Sequence, residues 1–342
     1  MLALMQRTRV ETVHLTVDPV TGLRAIIAVH AGRPLPAIGG CRYLAYPDDE
    51  SALTDAIRLA ETMTYKAALA GLPFNGGKAV ILRGPHVEDR AKLFEAFGRF
   101  VDSLQGRYIT AVDSGTSTAD MDCVAQATRY VTSTTAAGDP SAHTALGVFA
   151  GIRSTAMARL GSDNLEGLRV AIQGLGHVGY SLAEHLYAAG AELLVCDTDA
   201  GKVQLAVEQF NARPIAGDAL PTTPCDIFAP CANGGLLSPK TVAQLRCAAV
   251  AGSANAQLTS LDVADQLESR GILYAPDYVI NAGGLIQVAL QYQSADPSAI
   301  TTHLSRIGAR LTDIYSQAQA THRSPARVAQ EIAERLVYGG EG

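Results

Sequence analysis

The sequence predicts an α/β protein in two domains, the second a Rossmann-type, doubly wound parallel sheet. Three observations carry this expectation. The chain has 342 residues, enough for two separate cores. Beyond a linker-like stretch, TAAGDPSAH (135–143), strand-like and helix-like segments alternate for about 140 residues, the pattern of a parallel sheet covered by helices. Within that stretch, Gly174, Gly176 and Gly179 fall between a short apolar run and an amphipathic helix.

The elements read in order as follows. Residues 9–30 hold two apolar stretches separated by a DPVTG turn, a strand hairpin. In 51–70, Leu53, Ala56, Ile57, Ala60, Met63 and Ala67 recur at helical steps, acids precede the start and Gly71 follows the end. The LPFNGG stretch reads as a loop before a short strand at 79–82, and 88–104 as a second amphipathic helix. A strand from 108 ends in the polar loop around Asp113, and a helix follows near 121–130. A helix beginning near Thr144 opens the alternating region, and 298–338 reads as two helices. The expected first domain is 1–140 plus C-terminal helices of about 315–342; the second is 141–314.

Composition bounds the function. A hydrophobic fraction of 48% against 18% charged residues is that of a globular chain. A net charge of −6, with no Lys/Arg-rich run, argues against a nucleic-acid partner. The first residues lack a signal-peptide pattern and no long apolar run exists, so a soluble, cytoplasmic protein without a membrane partner is expected. None of the six cysteines forms a CxxC pair or lies at metal-ligand spacing from a histidine. They read as small buried hydrophobes in a reducing compartment, and no metal site is expected.

The glycine fingerprint points to a dinucleotide. Strand 170–172 runs into Gly174, which permits the tight turn. Gly176 lets backbone N–H groups reach a pyrophosphate, and Gly179 lets the following helix pack closely on the sheet. His177 and Val178 are the variable positions at the helix start. A second strand, 192–196, ends at Asp197, eighteen residues past the last motif glycine. A carboxylate there accepts hydrogen bonds from both ribose hydroxyls and repels a 2′-phosphate, which predicts NAD rather than NADP.

Two lysines suggest the chemistry. Lys66 ends the run ETMTYK and Lys78 ends NGGK, so a helix end, a turn and a loop bring ammonium groups twelve residues apart into one region. One can hold a carboxylate. The other can act as a base if its pKa falls from about 10.4 towards 7–8, a shift of about 4 kcal/mol. A second positive charge ~5 Å away, at an effective dielectric of ~20, supplies ~3 kcal/mol, and burial supplies the rest. Taken alone, Lys66 also reads as a solvated lysine at a helix C-terminus. Asp113, at a strand end before Ser-Gly-Thr, reads equally as a proton shuttle or a turn residue.

Several segments together resemble the amino-acid dehydrogenases of the Glu/Leu/Phe/Val family, including the tryptophan enzymes. They are GGCR (39–42), MTYKAALAGLPFNGGKAVI (63–81), GRYITAVDSGTSTADMD (106–122), TALGVFAGI (144–152), GLGHVG (174–179), CDIFAPCANGG (225–235), AGSANAQL (251–258) and GILYAPDYVINAGGLIQV (271–288). The resemblance implies a substrate domain and an NAD domain with a cleft between them. It implies that Lys66 holds the substrate carboxylate with the backbone of Gly39 and Gly40. Lys78 activates water and Asp113 shuttles protons at the amine. It further implies that Asn281 meets the amino group or reactive face, Thr144 the nicotinamide amide, and Cys231, Ala232 and Asn255 the cofactor.

The reaction implied is reversible oxidative deamination of an L-amino acid to its 2-oxo acid and ammonia, in a homo-oligomer. The side-chain pocket would be lined by Ile38, Ala111, Val112, Leu285 and Val288, all apolar, which disfavours glutamate. Branched aliphatic substrates are favoured over aromatic ones. The chain departs from the family pattern at Asn75 and Ala256, where relatives usually carry Gly and Asn, and in reading DSG at 113–115. Two rival readings remain from sequence. A non-catalytic NAD-binding regulator would have lost a lysine or the acid, and a hydroxy-acid oxidoreductase would rely on a His–acid pair; neither pattern is present.

Overall fold

The computed structural model describes residues 1–84, 89–232 and 234–339. The chain divides into two units, one of Met1–Pro140, Leu285–Pro297 and Ala333–Gly342, the other of Ser141–Gly284 and Ser298–Ile332. The division after residue 140 falls inside TAAGDPSAH. The C-terminal part differs from the sequence reading: the long helix after residue 296 and the first half of the helix that follows it, down to Ile332, stay with the second unit, and only the last turns return to the first.

The first unit opens with α1 (Leu2–Thr8), followed by β1 (Val10–Asp18), β2 (Leu23–His30), β3 (Leu35–Leu44) and α2 (Asp49–Leu69). It continues through β4 (Phe74–Leu82), α3 (Arg90–Ser103), β5 (Tyr108–Val112) and α4 (Thr118–Ala125). Helix α3 begins two residues later than expected, and Glu88 lies outside the described residues. The sheet order is β1-β2-β4-β3-β5, with β1, β2 and β4 antiparallel and β3 parallel to both β4 and β5.

Two clusters cover this sheet. On one face Ile26, Ala28 and Val80 pack with Ala52, Leu53, Ala56, Ile57 and Ala60 of α2. On the other, Ala79, Ile81, Cys41 and Tyr43 pack with Leu93, Phe94, Phe97 and Val101 of α3. This alternation of period two assigns each strand residue to a face. Burial of Phe94 and Phe97, both fully hidden, contributes roughly 2–3 kcal/mol each. Asp48 caps α2 by accepting from Ser51 N (2.7 Å), with Asp49 and Glu50 in the first turn, where negative charge is favoured.

The glycines of NGGK do not form the expected loop, because Phe74–Leu82 is one continuous strand. They are there for close packing. A Cβ on Gly76 would lie 2.2 Å from the Ala60 carbonyl oxygen of α2, and one on Gly77 would lie 2.5 Å from the Tyr108 ring. Asn75 serves this region as a clip. Its Oδ1 accepts from Arg33 N (2.8 Å), and its Nδ2 donates to the carbonyls of Arg33 (2.9 Å) and Leu35 (2.7 Å).

The second unit contains α5 (Ser141–Leu160), β6 (Arg169–Gln173), α6 (His177–Ala188), β7 (Glu192–Cys196), α7 (Ala200–Phe210), β8 (Arg213–Pro214), β9 (Ile227–Pro230) and α8 (Pro239–Gln244). There follow β10 (Ala249–Val250), α9 (Leu261–Ser269), β11 (Leu273–Tyr274), α10 (Asp277–Ile280), α11 (Gly283–Tyr292), α12 (Pro297–Thr321) and α13 (Pro325–Tyr338), the last three spanning the unit boundaries. Its sheet is all parallel, in the order β11-β10-β9-β6-β7-β8. Counted from β6, that order is 6-5-4-1-2-3, the doubly wound arrangement with its switch point between β6 and β9.

Candidate active site

One face of the first unit's sheet gathers the predicted catalytic residues. Lys78 pairs with Ala28 across β2–β4 and shares the α2 face with Val80. The β3–β4 register, with Ile38 opposite Gly76 and Cys41 opposite Ala79, sets Gly40 opposite Lys78. On its other side Gly40 pairs with Ala111 of β5. Ile38, Gly40, Arg42, Ala111 and Asp113 therefore share this face with Lys78. Val112 does not. It packs with the cluster under α3, so its expected place in the substrate pocket is corrected.

The Lys78 ammonium and the Asp113 carboxylate form an ion pair, with side-chain exposures of only 6% and 14%. Lys66, near the C-terminus of α2, is also buried. Burial first, then the positive charges of Arg42 and Lys66, push Lys78 well below the ordinary lysine value. Asp113 itself opposes this, since an adjacent anion favours the ammonium.

The sequence alone gives no role to Arg42, the last residue of GGCR. Its Nη1 donates to Asp55 Oδ2 of α2 (2.9 Å) and its Nε lies 3.6 Å from Asp113 Oδ2. Tyr46 also donates to Asp55 (2.6 Å). The available signal was positional: on an alternating strand, an arginine two residues after Gly40 faces the same way.

Local geometry fixes Asp113. Thr116 Oγ1 accepts from Asp113 N (2.8 Å) and donates to the Cys41 carbonyl (3.1 Å), while Asp113 Oδ1 accepts from Ser114 N (2.6 Å). Gly39 and Gly40 have no room for a side chain: a Cβ on Gly39 would lie 1.8 Å from the Gly77 oxygen, and one on Gly40 2.6 Å from Asp113 Cβ. Leu285 and Val288 of α11 are buried, within the same unit as Ile38 and Ala111.

In the second unit the glycine fingerprint has the geometry of a dinucleotide cradle. Gly174 has φ +92°, in the region that favours glycine, and its N–H donates to the Cys196 carbonyl (2.8 Å). Ala232 packs against Gly174, so that a Cβ there would meet it at 2.8 Å, and Cys231 N donates to the Gln173 carbonyl (2.7 Å). A Cβ on Gly179 would lie 2.0 Å from the Gly174 oxygen, whereas nothing lies within 4 Å of one on Gly176. Gly176 caps α6 without a side-chain hydrogen bond, and His177 and Val178 form its first turn.

Asp197 closes β7, with Oδ2 accepting from Leu175 N (2.6 Å) and Oδ1 from Asp199 N (2.8 Å). Burial works against its charge, but the N–H groups of Asp199 and Leu175, with the Lys202 charge and Thr198, together hold it below the ordinary carboxylate value. Asn281 Nδ2 donates to the Ser253 carbonyl (3.0 Å) and to Asn255 Oδ1 (2.9 Å). Its buried Oδ1 has no hydrogen-bond partner, an acceptor that a ligand amide or amine would satisfy. Thr144, in the first turn of α5, lies against Gly283, where a Cβ would come within 3.0 Å of its Cα. These features fit a nicotinamide dinucleotide. Among the described residues, no group of three or more His, Cys, Asp or Glu side chains could hold a metal ion, and no helix is long and apolar enough to cross a membrane.

Two family models match the chain: the Glu/Leu/Phe/Val dehydrogenase dimerisation domain over residues 7–130, and Glutamate/Leucine/Phenylalanine/Valine dehydrogenase over 198–337. The leucine dehydrogenase of Bacillus subtilis (strain 168) is 48% identical over 276 residues, covering 80% of this chain and 76% of that protein. The phenylalanine dehydrogenase of Bacillus thermotolerans is 40% identical, covering 94% and 86%. The crystal structure of L-tryptophan dehydrogenase from Nostoc punctiforme superposes with a TM-score of 0.84 at 37% identity, covering 100% of this chain and 99% of that one. With both halves matched in order and relatives at this identity over most of its length, the chain belongs to the Glu/Leu/Phe/Val family of amino-acid dehydrogenases.

Proposed function

We propose that the protein catalyses the NAD-dependent, reversible oxidative deamination of branched aliphatic L-amino acids, with aromatic ones next in preference. The observation that carries this is the buried Lys78–Asp113 pair beside a second buried lysine, on a sheet face whose neighbouring side chains, Ile38 and Ala111, are apolar. In this reading Lys66 holds the substrate carboxylate, with the Gly39 and Gly40 backbone against it. Bound NAD supplies the two-electron acceptor for the hydride from Cα. Asp113 takes the proton released at the amine. Lys78, whose ammonium form is disfavoured by burial and its cationic neighbours once Asp113 has taken the amine proton, draws a proton from the water that adds to the imine carbon; Asp113 then returns its proton to the nitrogen, the C–N bond breaks, and ammonia leaves as the hydroxyl proton passes to Asp113.

Gly174, Gly176, His177, Val178 and Gly179 would hold the pyrophosphate at the start of α6, and Asp197 the adenosine ribose. Cys231, Ala232, Asn255, Asn281 and Thr144 would border the rest of the dinucleotide. Ile38, Ala111, Leu285 and Val288 would line the side-chain pocket. A buried glutamate carboxylate would find no cation among these four, and a one-methylene difference is worth only ~1–3 kcal/mol, so graded selectivity among apolar side chains is expected. The match to a dimerisation domain over 7–130 supports a homo-oligomer built on the first unit. The test is absorbance of reduced nicotinamide with NAD⁺ and a panel of L-amino acids. Reduction with leucine and valine exceeding that with phenylalanine supports the reading. Reduction only with glutamate, or none across the panel while NAD still binds, would refute it.

A further inference from the structure

We propose that Cys225 and Cys247 form a modification site, a dithiol that hydroperoxides convert to a reversible disulfide. The argument starts from register. In the parallel pair β9–β10, Ile227 is opposite Ala249 and Phe228 opposite Val250. Continuing the ladder two residues towards the strand starts sets Cys225 opposite Cys247. The backbone holds this extension: Cys225 N donates to the Arg246 carbonyl (3.1 Å) and Ala248 N to the Asp226 carbonyl (3.0 Å). Directly paired residues on neighbouring strands have Cα atoms ~5 Å apart, within the ~4.4–6.8 Å that a disulfide spans. Both side chains point to the same cluster, Cys225 inside it and Cys247 packed against it with Val242 and Leu245. All six cysteines are free thiols.

The surroundings favour one thiolate. The hydrogen bond from the Cys247 thiol holds Cys225 below its ordinary value, and Arg169 adds to this against the opposing effects of burial and Asp226. Cys247, as the donor, is pushed up, with Arg270 moderating the effect from its anchor on the Val242 and Leu245 carbonyls. The Arg169 charge beside Cys225 favours a thiolate there, which makes Cys225 the nucleophile and Cys247 the resolving thiol.

The chemistry balances. The Cys225 thiolate attacks the peroxide oxygen; an S–O bond forms, the O–O bond breaks, and the leaving oxygen departs as water or an alcohol after taking a proton. The Cys247 sulfur then attacks the Cys225 sulfur; the S–S bond forms, the S–O bond breaks, and hydroxide leaves with the Cys247 proton as water. Each sulfur loses one electron and the peroxide gains two. The pair lies at the start of β9, whereas Cys231 and Ala232, beside Gly174, lie beyond its end. The cross-link thus staples the sheet at the edge away from the glycine fingerprint.

The test is hydrogen peroxide treatment of the folded full chain, then alkylation of remaining thiols, digestion and mass analysis, with and without dithiothreitol. The expected result is a Cys225–Cys247-linked peptide lighter by two hydrogens, loss of two of the six thiols, a raised Tm and full reversal by dithiothreitol. Separate sulfinic acids on these residues, or an unchanged pair while the other cysteines oxidise, would overturn the proposal. In Cys247→Ser the sulfenic acid on Cys225 should be trapped by dimedone; its absence would overturn the assigned order of attack. The unsubstituted chain carries the main test even if that variant does not fold.

Discussion

The Asp113 carboxylate is shared: the same oxygen, Oδ2, pairs with Lys78 Nζ and lies 3.6 Å from Arg42 Nε. Arg42 thereby lowers the Lys78 pKa by its own charge, competes for the anion that would hold the lysine protonated, and neutralises Asp55. All three effects act in one direction. Replacing it, as in Arg42→Gln, raises the Lys78 pKa, so the acid limb of the kcat/KM profile should move to higher pH by on the order of one unit. A pH profile of the variant against the parent reads this; an unmoved limb with reduced kcat would make Arg42 merely structural.

Asp197 is held ionised by two backbone N–H groups at the end of β7. In the proposed reading, Asp197→Ser removes the charge that would exclude a 2′-phosphate. The ratio of kcat/KM for NADP⁺ to that for NAD⁺ should rise on the order of ten- to a hundredfold. Steady-state kinetics with both cofactors checks it, and an unchanged ratio would move the selectivity elsewhere.

Ala256 adopts φ +49°, a left-handed conformation in which an L-residue with a plain Cβ is strained by about 1 kcal/mol. Its carbonyl accepts from Gly235 N (2.7 Å), so the bend is used. Ala256→Asn, which tolerates this region, should raise Tm by a few degrees. A scanning melt decides; a lowered Tm would show that the asparagine side chain collides locally.

His30 is fully buried, with Nδ1 2.9 Å from Thr64 Oγ1 and Nε2 2.9 Å from the Tyr338 hydroxyl; Thr64 Oγ1 in turn accepts from Gly76 N (2.6 Å). Burial lowers its pKa from 6.5 to about 4. Below pH 6.5 the unfolded chain takes up a proton that the folded one refuses until about pH 4, so stability falls with pH across that window. At pH 5 the loss is about 2 kcal/mol. Glu61, raised by burial to about 7, acts oppositely, because its folded state protonates first as pH falls. The informative quantity is therefore the difference between His30→Gln and the parent. Urea midpoints at pH 7.5 and 5 should show the variant losing about 2 kcal/mol less. Equal losses would contradict a neutral buried His30.

The second unit was largely legible because its signals are local: a strand, three glycines, a helix and an acid follow one another in sequence. The first unit was less so. β3 went unread because Pro36, Gly39 and Gly40 interrupt its apolar run, yet those glycines are required by contacts with Gly77 and Asp113 that lie far away in sequence. NGGK looked like a loop for the same reason, since glycines that admit a helix and a tyrosine ring cannot be told from turn glycines one chain at a time. Lys66 and Lys78 stand out by type and spacing together, whereas Asp113 reads equally as a turn residue until the family resemblance singles it out. Arg42, which links Asp113 to Asp55, does not stand out, because its partners come from α2 and the loop after β5.

The most direct test of the central claim is Lys78→Ala assayed for NAD⁺ reduction with L-leucine, with NAD binding measured on the same preparation. If Lys78 is the base, kcat falls on the order of a thousandfold or more while the Kd for NAD stays within about twofold. A variant that retains kcat within about tenfold, with leucine and NAD both bound, would contradict the assignment and shift the proton chemistry to another group.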